Sequence, residues 1–268
     1  MAEQKGFNIR RQTGFATLAV ACFVLLYLPI LLLVAYSFNS GSSIAIWEGF
    51  SWRWYQSAWE NELVQEATVR SLVIAVWASL ISTTVAVLAA LATTRTRKFR
   101  GQGAVFAMIN QPLMVPEIVT AVALLIFFAM IKVATGYSGL LYLVIAHSAF
   151  CIPFAYLPIR ARLQGMDLSL EQAAADLYAT PFQAFRRITL PQLWPGILAG
   201  AMLAFVISLD DVVITEFVKS AGQDTLPTYM LGQLRRVITP EINAISTVLI
   251  GISVTMVIGF TLLSKIRN

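Results

Sequence analysis

Four carboxylates stand where an apolar chain offers them no partner: Glu117 in QPLMVPEIVTA, Asp210 and Asp211 in ISLDDVV, and Glu216 roughly 9 Å further along a helix. No lysine or arginine occurs between Ala104 and Ile131, or between Leu193 and Phe217. Acids in such surroundings are costly unless they are hydrogen-bonded, paired or used. Two readings follow: structural acids held by hydrogen bonds or protons in a core, or a lining that takes its neutralising charge from a cation entering from outside. Adjacent Asp210 and Asp211 point about 100° apart on a helix, so only one faces a central path squarely. Pro112 and Pro116 are expected to interrupt or kink the helix carrying Glu117 and to free backbone groups toward a cavity.

Six long apolar runs must position these acids, at 14–38, 68–94, 104–131, 138–160, 194–218 and 243–264. Each reaches the roughly 20 residues that a helix needs to cross a bilayer core of about 30 Å. With 58% hydrophobic and only 12% charged residues among 268, the chain reads as an all-α polytopic membrane protein with six transmembrane helices, a single domain over 1–268. The first run is longer than a signal segment and is expected to be retained. At about 1.5 Å per residue, Glu117 lies roughly 20 Å from Ala104 and Asp210 roughly 22 Å from Pro195, so both are expected at similar depth.

Charge sets the orientation. Placing Lys5, Arg10, Arg11, Arg95, Arg97, Lys98, Arg100, Arg160, Arg162, Arg186, Arg187, Lys265 and Arg267 on the cytoplasmic side puts 13 of the 19 basic residues there. Arg53, Arg70, Lys132, Lys219, Arg235 and Arg236 stay outside, and both termini are cytoplasmic. The net charge of +5 thus describes topology and does not call for nucleic acid. Cys22 and Cys151 read as small core hydrophobes, and His147, the single histidine, as a packed and hydrogen-bonded side chain. No metal site and no catalytic residue is expected. Residues 40–67 carry Trp47, Trp52, Trp54, Tyr55 and Trp59, which suit a helix along the outer membrane surface with Glu60, Glu62 and Glu66 solvated.

The segment 160–193 is the largest cytoplasmic feature. Ser169-Leu-Glu-Gln172 fits a capping box, and Ala173, Ala174, Ala175 and Ala179 favour a helix with a small-residue face. Thr180 is expected to cap a second helix opened by Pro181, after which Pro191 and Pro195 lead into the fifth span.

The pattern Glu171-Gln172-Ala173-Ala174, Asp176-Leu-Tyr178-Ala179 and Ile188-x-Leu-Pro191 resembles the EAA loop of inner-membrane permease subunits of bacterial ABC importers. Ser37-Phe-Asn-Ser40, Trp52-Arg-Trp-Tyr55, Pro116-Glu-Ile-Val119, Ser208-Leu-Asp-Asp-Val-Val213 and Pro240-Glu-Ile-Asn-Ala244 are similar to the spermidine/putrescine branch. The resemblance implies a type I ABC importer permease (MetI-like) fold in the bacterial inner membrane. It implies a second, unlike permease subunit, a dimer of ATPase subunits, an external binding protein and surrounding lipid. Glu171, Gln172, Ala173, Ala174, Asp176, Tyr178 and Ala179 would dock on the ATPase, which would hold ATP and Mg; this chain binds no cofactor itself. Gln172 stands where the family has glutamate, and Tyr178 where it has a glycine able to make a tight turn, which a tyrosine is not expected to do.

Polyamines carry ammonium groups on a methylene stem, so their path needs spaced carboxylates and aromatic surface. Glu117, Asp210, Asp211 and Glu216 suit that lining. A permease for another small organic cation or amino-acid-like solute would use similar chemistry. An ion-coupled secondary transporter is disfavoured by the absence of visible internal repeats, and a membrane enzyme by the absence of an HExxH or nucleophile-elbow motif. No GxxxxGK[ST] phosphate loop occurs, so energy must come from elsewhere.

Overall fold

The computed structural model describes residues 13–44, 46–96, 99–236 and 239–266. Of the residues used for orientation, Lys5, Arg10, Arg11, Arg97, Lys98 and Arg267 lie outside the described residues, as does the side chain of Lys265. Twelve α-helices are described: α1 (Thr13–Tyr36), α2 (Arg53–Glu60), α3 (Glu62–Thr94), α4 (Gln102–Met114), α5 (Glu117–Thr135), α6 (Leu140–Gln164), α7 (Ser169–Asp176), α8 (Pro181–Ala184), α9 (Leu190–Asp210), α10 (Val213–Val218), α11 (Leu226–Leu234) and α12 (Pro240–Ile266). Among the described residues the only strand-like pairing is the bridge between Asn39 and Phe50. Six helical stretches are long and apolar enough to cross a membrane: 14–36, 62–94, 117–135, 140–164, 181–210 and 240–259.

Two of these stretches depart from the expected boundaries. The third apolar run is not one helix: it breaks at Val115 and Pro116, so its spanning part is Glu117–Thr135 rather than 104–131. The residue before a proline is pushed out of the α region, and Val115 is extended at φ −101°, ψ 137°. Pro112, by contrast, sits inside α4 without ending it. The fifth run also breaks, at Asp211 and Val212, so its stretch is 181–210 rather than 194–218. Pro191 lacks the N–H that would bond the Arg187 carbonyl and crowds it. The helix widens into a π-helical turn over Phe185–Thr189 ahead of it and then runs on through Pro195.

The chain forms two compact units. The first comprises residues up to Asn61 together with Arg236–Gly251. Its loop between α1 and α2 is organised by the buried Asn39. The Asn39 amide donates to the carbonyls of Ser43 and Ile46, and its oxygen accepts from the Glu48 amide. Phe38 stacks on Phe50 at 5.4 Å and meets Trp52 edge-on at 4.8 Å. The outer helix expected here is the short α2, while Glu62 and Glu66 already belong to α3. Cys22 is exposed on α1, contrary to its expected core position, whereas Cys151 is buried in the second unit.

The second unit, Glu62–Arg235 with Ile252–Asn268, is built around α3, α6 and α9. Small residues make close approach possible where no aqueous hydrophobic effect drives helices together. On α3 the buried stripe is Ser71, Ala75, Ala78, Ser82, Ala86 and Ala90. On α9 it is Gly196, Gly200, Ala204 and Ser208 at four-residue spacing. The Ser79 hydroxyl donates to the Ala201 carbonyl at 2.6 Å, and Tyr156 on α6 bonds Thr93 on α3 at 2.9 Å. A Cβ placed on Gly200 would lie 2.7 Å from the Ala155 carbonyl oxygen, which is backbone and cannot step aside. Gly200→Ala should therefore destabilise the chain by about 1–3 kcal/mol in SDS-induced unfolding. Gly259→Ala, whose Cβ meets nothing within 4 Å, should leave it unchanged.

Candidate functional site

The two helix breaks bring the acids together. Glu117 opens α5 immediately after the Val115–Pro116 break, and Asp210 and Asp211 flank the end of α9. All three line one cavity of about 380 Å³ with Phe150 and Phe154 of α6 and Val206, Ile207, Val212 and Val213. Among the described residues, no lysine or arginine lines it. Glu117 is half-buried, Asp210 exposed and Asp211 buried. Asp211 Oδ2 is buried and has no hydrogen-bond donor among the described residues.

The other Asp211 oxygen is fully used. Oδ1 accepts from the Thr215 amide at 2.9 Å and from the Thr215 hydroxyl at 3.0 Å, satisfying the first turn of α10. His147 of α6 reaches across the break. Its Nδ1 lies 2.8 Å from Ser208 Oγ on α9, and its Nε2 lies 2.9 Å from Thr215 Oγ1 on α10 and 3.5 Å from Asp211 Oδ1. The packed, hydrogen-bonded role expected for His147 is what the structure contains.

Glu216 does not join this cavity. Lys219 holds it at 2.6 Å and holds Asp224 at 2.7 Å, while Arg70 donates to the Asp224 carbonyl at 2.7 Å. Burial of Lys219 acts to lower its pKa, but hydrogen bonds to Asp224 and Glu216 outweigh it and hold the ammonium above the ordinary lysine range. The stretch from Leu193 to Phe217 holds no lysine or arginine and ends two residues short of this lysine. The aromatic walls were also missed, although His147, Phe150 and Phe154 share one face of α6 at i, i+3 and i+7.

The alanine-rich segment takes a different local form from the one expected. Ser169 does not cap toward Gln172: α7 begins at Ser169, whose amide and hydroxyl donate to Asp167 at 2.9 and 2.7 Å. A carboxylate two residues ahead is the stronger acceptor, and the Ser169 amide holds Asp167 below the usual carboxylate range. The reciprocal capping box forms instead between Thr180 and Gln183, with Pro181 opening α8.

Tyr178 makes the tight turn that a tyrosine was not expected to make. It has φ +59°, its amide donates to the Ala175 carbonyl, and the Ala179 amide donates to the Ala174 carbonyl. This is a Schellman ending with tyrosine in the position that glycine usually takes. Tyr178 is 96% exposed and Leu177 81%, while Ala174 is buried and Gln172, Ala173 and Asp176 are exposed. Ala174 therefore faces its own chain. Glu171 is likewise engaged within the chain: Oε1 lies 3.3 Å from Arg95 at the end of α3 and accepts from Thr189 Oγ1 at 3.0 Å.

Residues 82–266 match the family described as "Binding-protein-dependent transport system inner membrane component". The chain is 39% identical over 232 residues to the "Putrescine transport system permease protein PotI" of Escherichia coli (strain K12), covering 85% of this chain and 83% of that protein. It is 37% identical over 246 residues to the "Spermidine/putrescine transport system permease protein PotC" of Haemophilus influenzae, covering 92% and 94%. Among solved structures, a bacterial alginate ABC transporter in complex with an alginate-bound periplasmic protein superposes with a TM-score of 0.74 over 97% of this chain and 96% of that one at 16% identity. A chain of the MetNI methionine ABC transporter superposes at 0.64 over 77% and 96% at 17% identity. These likenesses establish the all-α ABC importer permease fold, and the chain belongs to the family of binding-protein-dependent transport system inner membrane components.

Proposed function

We propose that this chain is the non-catalytic, substrate-conducting subunit of an ATP-driven importer of polyamines of the putrescine and spermidine class. The observation that carries the reading is the convergence of Glu117, Asp210 and Asp211 on one cavity walled by Phe150 and Phe154. A diamine or triamine presents ammonium groups separated by methylenes, and such a lining offers carboxylates for the first and ring faces for both. The identity to putrescine and spermidine/putrescine permeases over most of the chain supports the same substrate class.

In this reading the chain pairs with a second, unlike permease in the lipid bilayer, and an external binding protein delivers the substrate. A dimer of ATPase subunits binds ATP and Mg beneath them. Both termini and the segment 160–193 face the cytoplasm. Leu170, Leu177, Tyr178 and Phe182 are exposed there, an apolar group that suits burial in a groove of the ATPase. Gln172, Ala173, Asp176 and Ala179 surround it. Glu171 and Ala174 contribute from behind: the Arg95–Glu171–Thr189 contacts fasten the segment to α3 and to the foot of α9, so a push on α7 reaches the helix that ends at Asp210. Glu216, tied to Lys219 and Asp224, would close the outer side of the path.

Glu117→Gln and Asp210→Asn should each reduce polyamine uptake into proteoliposomes at least about tenfold, since each removes a full charge facing the substrate ammonium. Copurification of the subunits should stay intact. Uptake unchanged in both variants would remove the cavity from the path. Tyr178 separates local strain from docking. Tyr178→Gly should stabilise the α7 turn by about 1 kcal/mol, seen as slower amide exchange at Ala175 to Ala179, and should weaken copurification of the ATPase. Undiminished copurification would show that the exposed ring is not the contact.

A further inference from the structure

The buried cluster around His147 has a direction that follows from counting hydrogens. Thr215 has a single hydroxyl proton, and it points to Asp211 Oδ1 at 3.0 Å. The Thr215 oxygen must then accept at its 2.9 Å contact with His147, so Nε2 carries the hydrogen. The opposite ring nitrogen is left to Ser208 at 2.8 Å. The chain of donors thus runs from His147 through Thr215 to Asp211, and the Thr215 amide adds a second donor to the same oxygen. All of these partners are buried: Ser208 is 4% exposed, His147 1%, Thr215 0% and Asp211 6%.

Two consequences follow for Asp211. With Oδ1 accepting two hydrogen bonds from Thr215, the carboxylate is held in one orientation at the wall of the cavity that Glu117 also lines, and Oδ2 is left without a hydrogen-bond donor among the described residues. A primary ammonium carries three N–H donors, enough to serve Oδ2 and the Glu117 carboxylate together. Asp210, next in the chain but exposed and without such a clamp, has no fixed oxygen of this kind.

Resting on the polyamine reading above, we infer that His147 and Thr215 are positioning residues for substrate binding. They form a hydrogen-bond relay that fixes the Asp211 carboxylate at the wall of the cavity it shares with Glu117, so that Asp211 and Glu117 are the anchoring subsite for one terminal ammonium group and Asp210 is not. The group that aims the site sits in the same gap as the break between α9 and α10, so the relay also joins the two helical pieces that the substrate path divides.

The test is equilibrium binding of labelled putrescine and spermidine to the detergent-solubilised complete complex, without the binding protein, alongside uptake in proteoliposomes. Thr215→Val keeps the shape and removes the relay hydroxyl, and should raise Kd about tenfold. Thr215→Ser keeps the hydroxyl and should stay within about twofold of wild type. Asp210→Asn should raise Kd less than Asp211→Asn does. Equal weakening by Thr215→Val and Thr215→Ser, or an unchanged Kd in Thr215→Val, overturns the relay. Should Thr215→Val fail to assemble, Ser208→Ala reads the relay from its far end, and an unchanged Kd there overturns it. A wild-type complex that imports polyamine yet binds none at equilibrium overturns the anchoring subsite and leaves the functional reading standing. One that neither binds nor imports a polyamine removes both.

Discussion

The break in the fifth span is the constraint on which the rest of the second unit depends. Ending α9 at Asp210 and restarting at Val213 leaves carbonyls and amides without helical partners in a region where water is scarce. Each unsatisfied group there would cost several kcal/mol. The chain meets the demand with polar side chains rather than with more helix: Asp211 takes the Thr215 amide, and Ser208 and Thr215 are joined through His147. A buried carboxylate is expensive by itself, but this one is offset by charge-assisted hydrogen bonds, each of about 1.5–3 kcal/mol, and it satisfies backbone that would otherwise be orphaned.

The same economy explains why the acids meet. A helix that stops inside an apolar layer exposes polar ends, and an acid placed at the stop can face whatever space the stop opens. Glu117 follows the extended Val115–Pro116 pair, Asp210 closes α9, and Asp211 comes directly after it. The cavity therefore lies where two interrupted helices meet α6, which brings the buried His147 and Phe150 and the half-buried Phe154 to one face. The close approach of α9 to α6 at Gly196 and Gly200 keeps this arrangement compact enough for His147 to bridge Ser208 and Thr215.

At the other end of α9, the alanine-rich segment combines strain with anchorage. Tyr178 holds a left-handed conformation that costs a non-glycine residue about 1–2 kcal/mol, and it does so with its ring almost wholly exposed. The ion pair from Glu171 to Arg95 and the π-helical turn before Pro191 tie that strained turn to α3 and α9. Strain of this kind persists when the surroundings over-determine it, and here they do through Thr180, Gln183 and the Schellman hydrogen bonds.

Much of this protein was legible in one dimension, because a bilayer makes composition a geometric quantity. Runs of about 20 apolar residues located the helices, basic residues between them suggested an orientation, and unpaired acids within them marked Glu117, Asp210 and Asp211. The capping of α8 by Thr180 was also readable, since it needs only residues three positions apart. Contacts between distant segments were not. That Glu216 belongs to Lys219 and Asp224, that Glu171 belongs to Arg95, and that Ala174 faces inward depend on which helices pack together. Tyr178 in a glycine conformation escaped because propensity weighs a residue against its neighbours, whereas the turn is imposed by helices on both sides. The sequence by itself determined that acids would stand inside the membrane; only the packing of α6 across two broken helices decided that Asp211 is clamped beside Thr215 and His147 while Asp210 stays exposed.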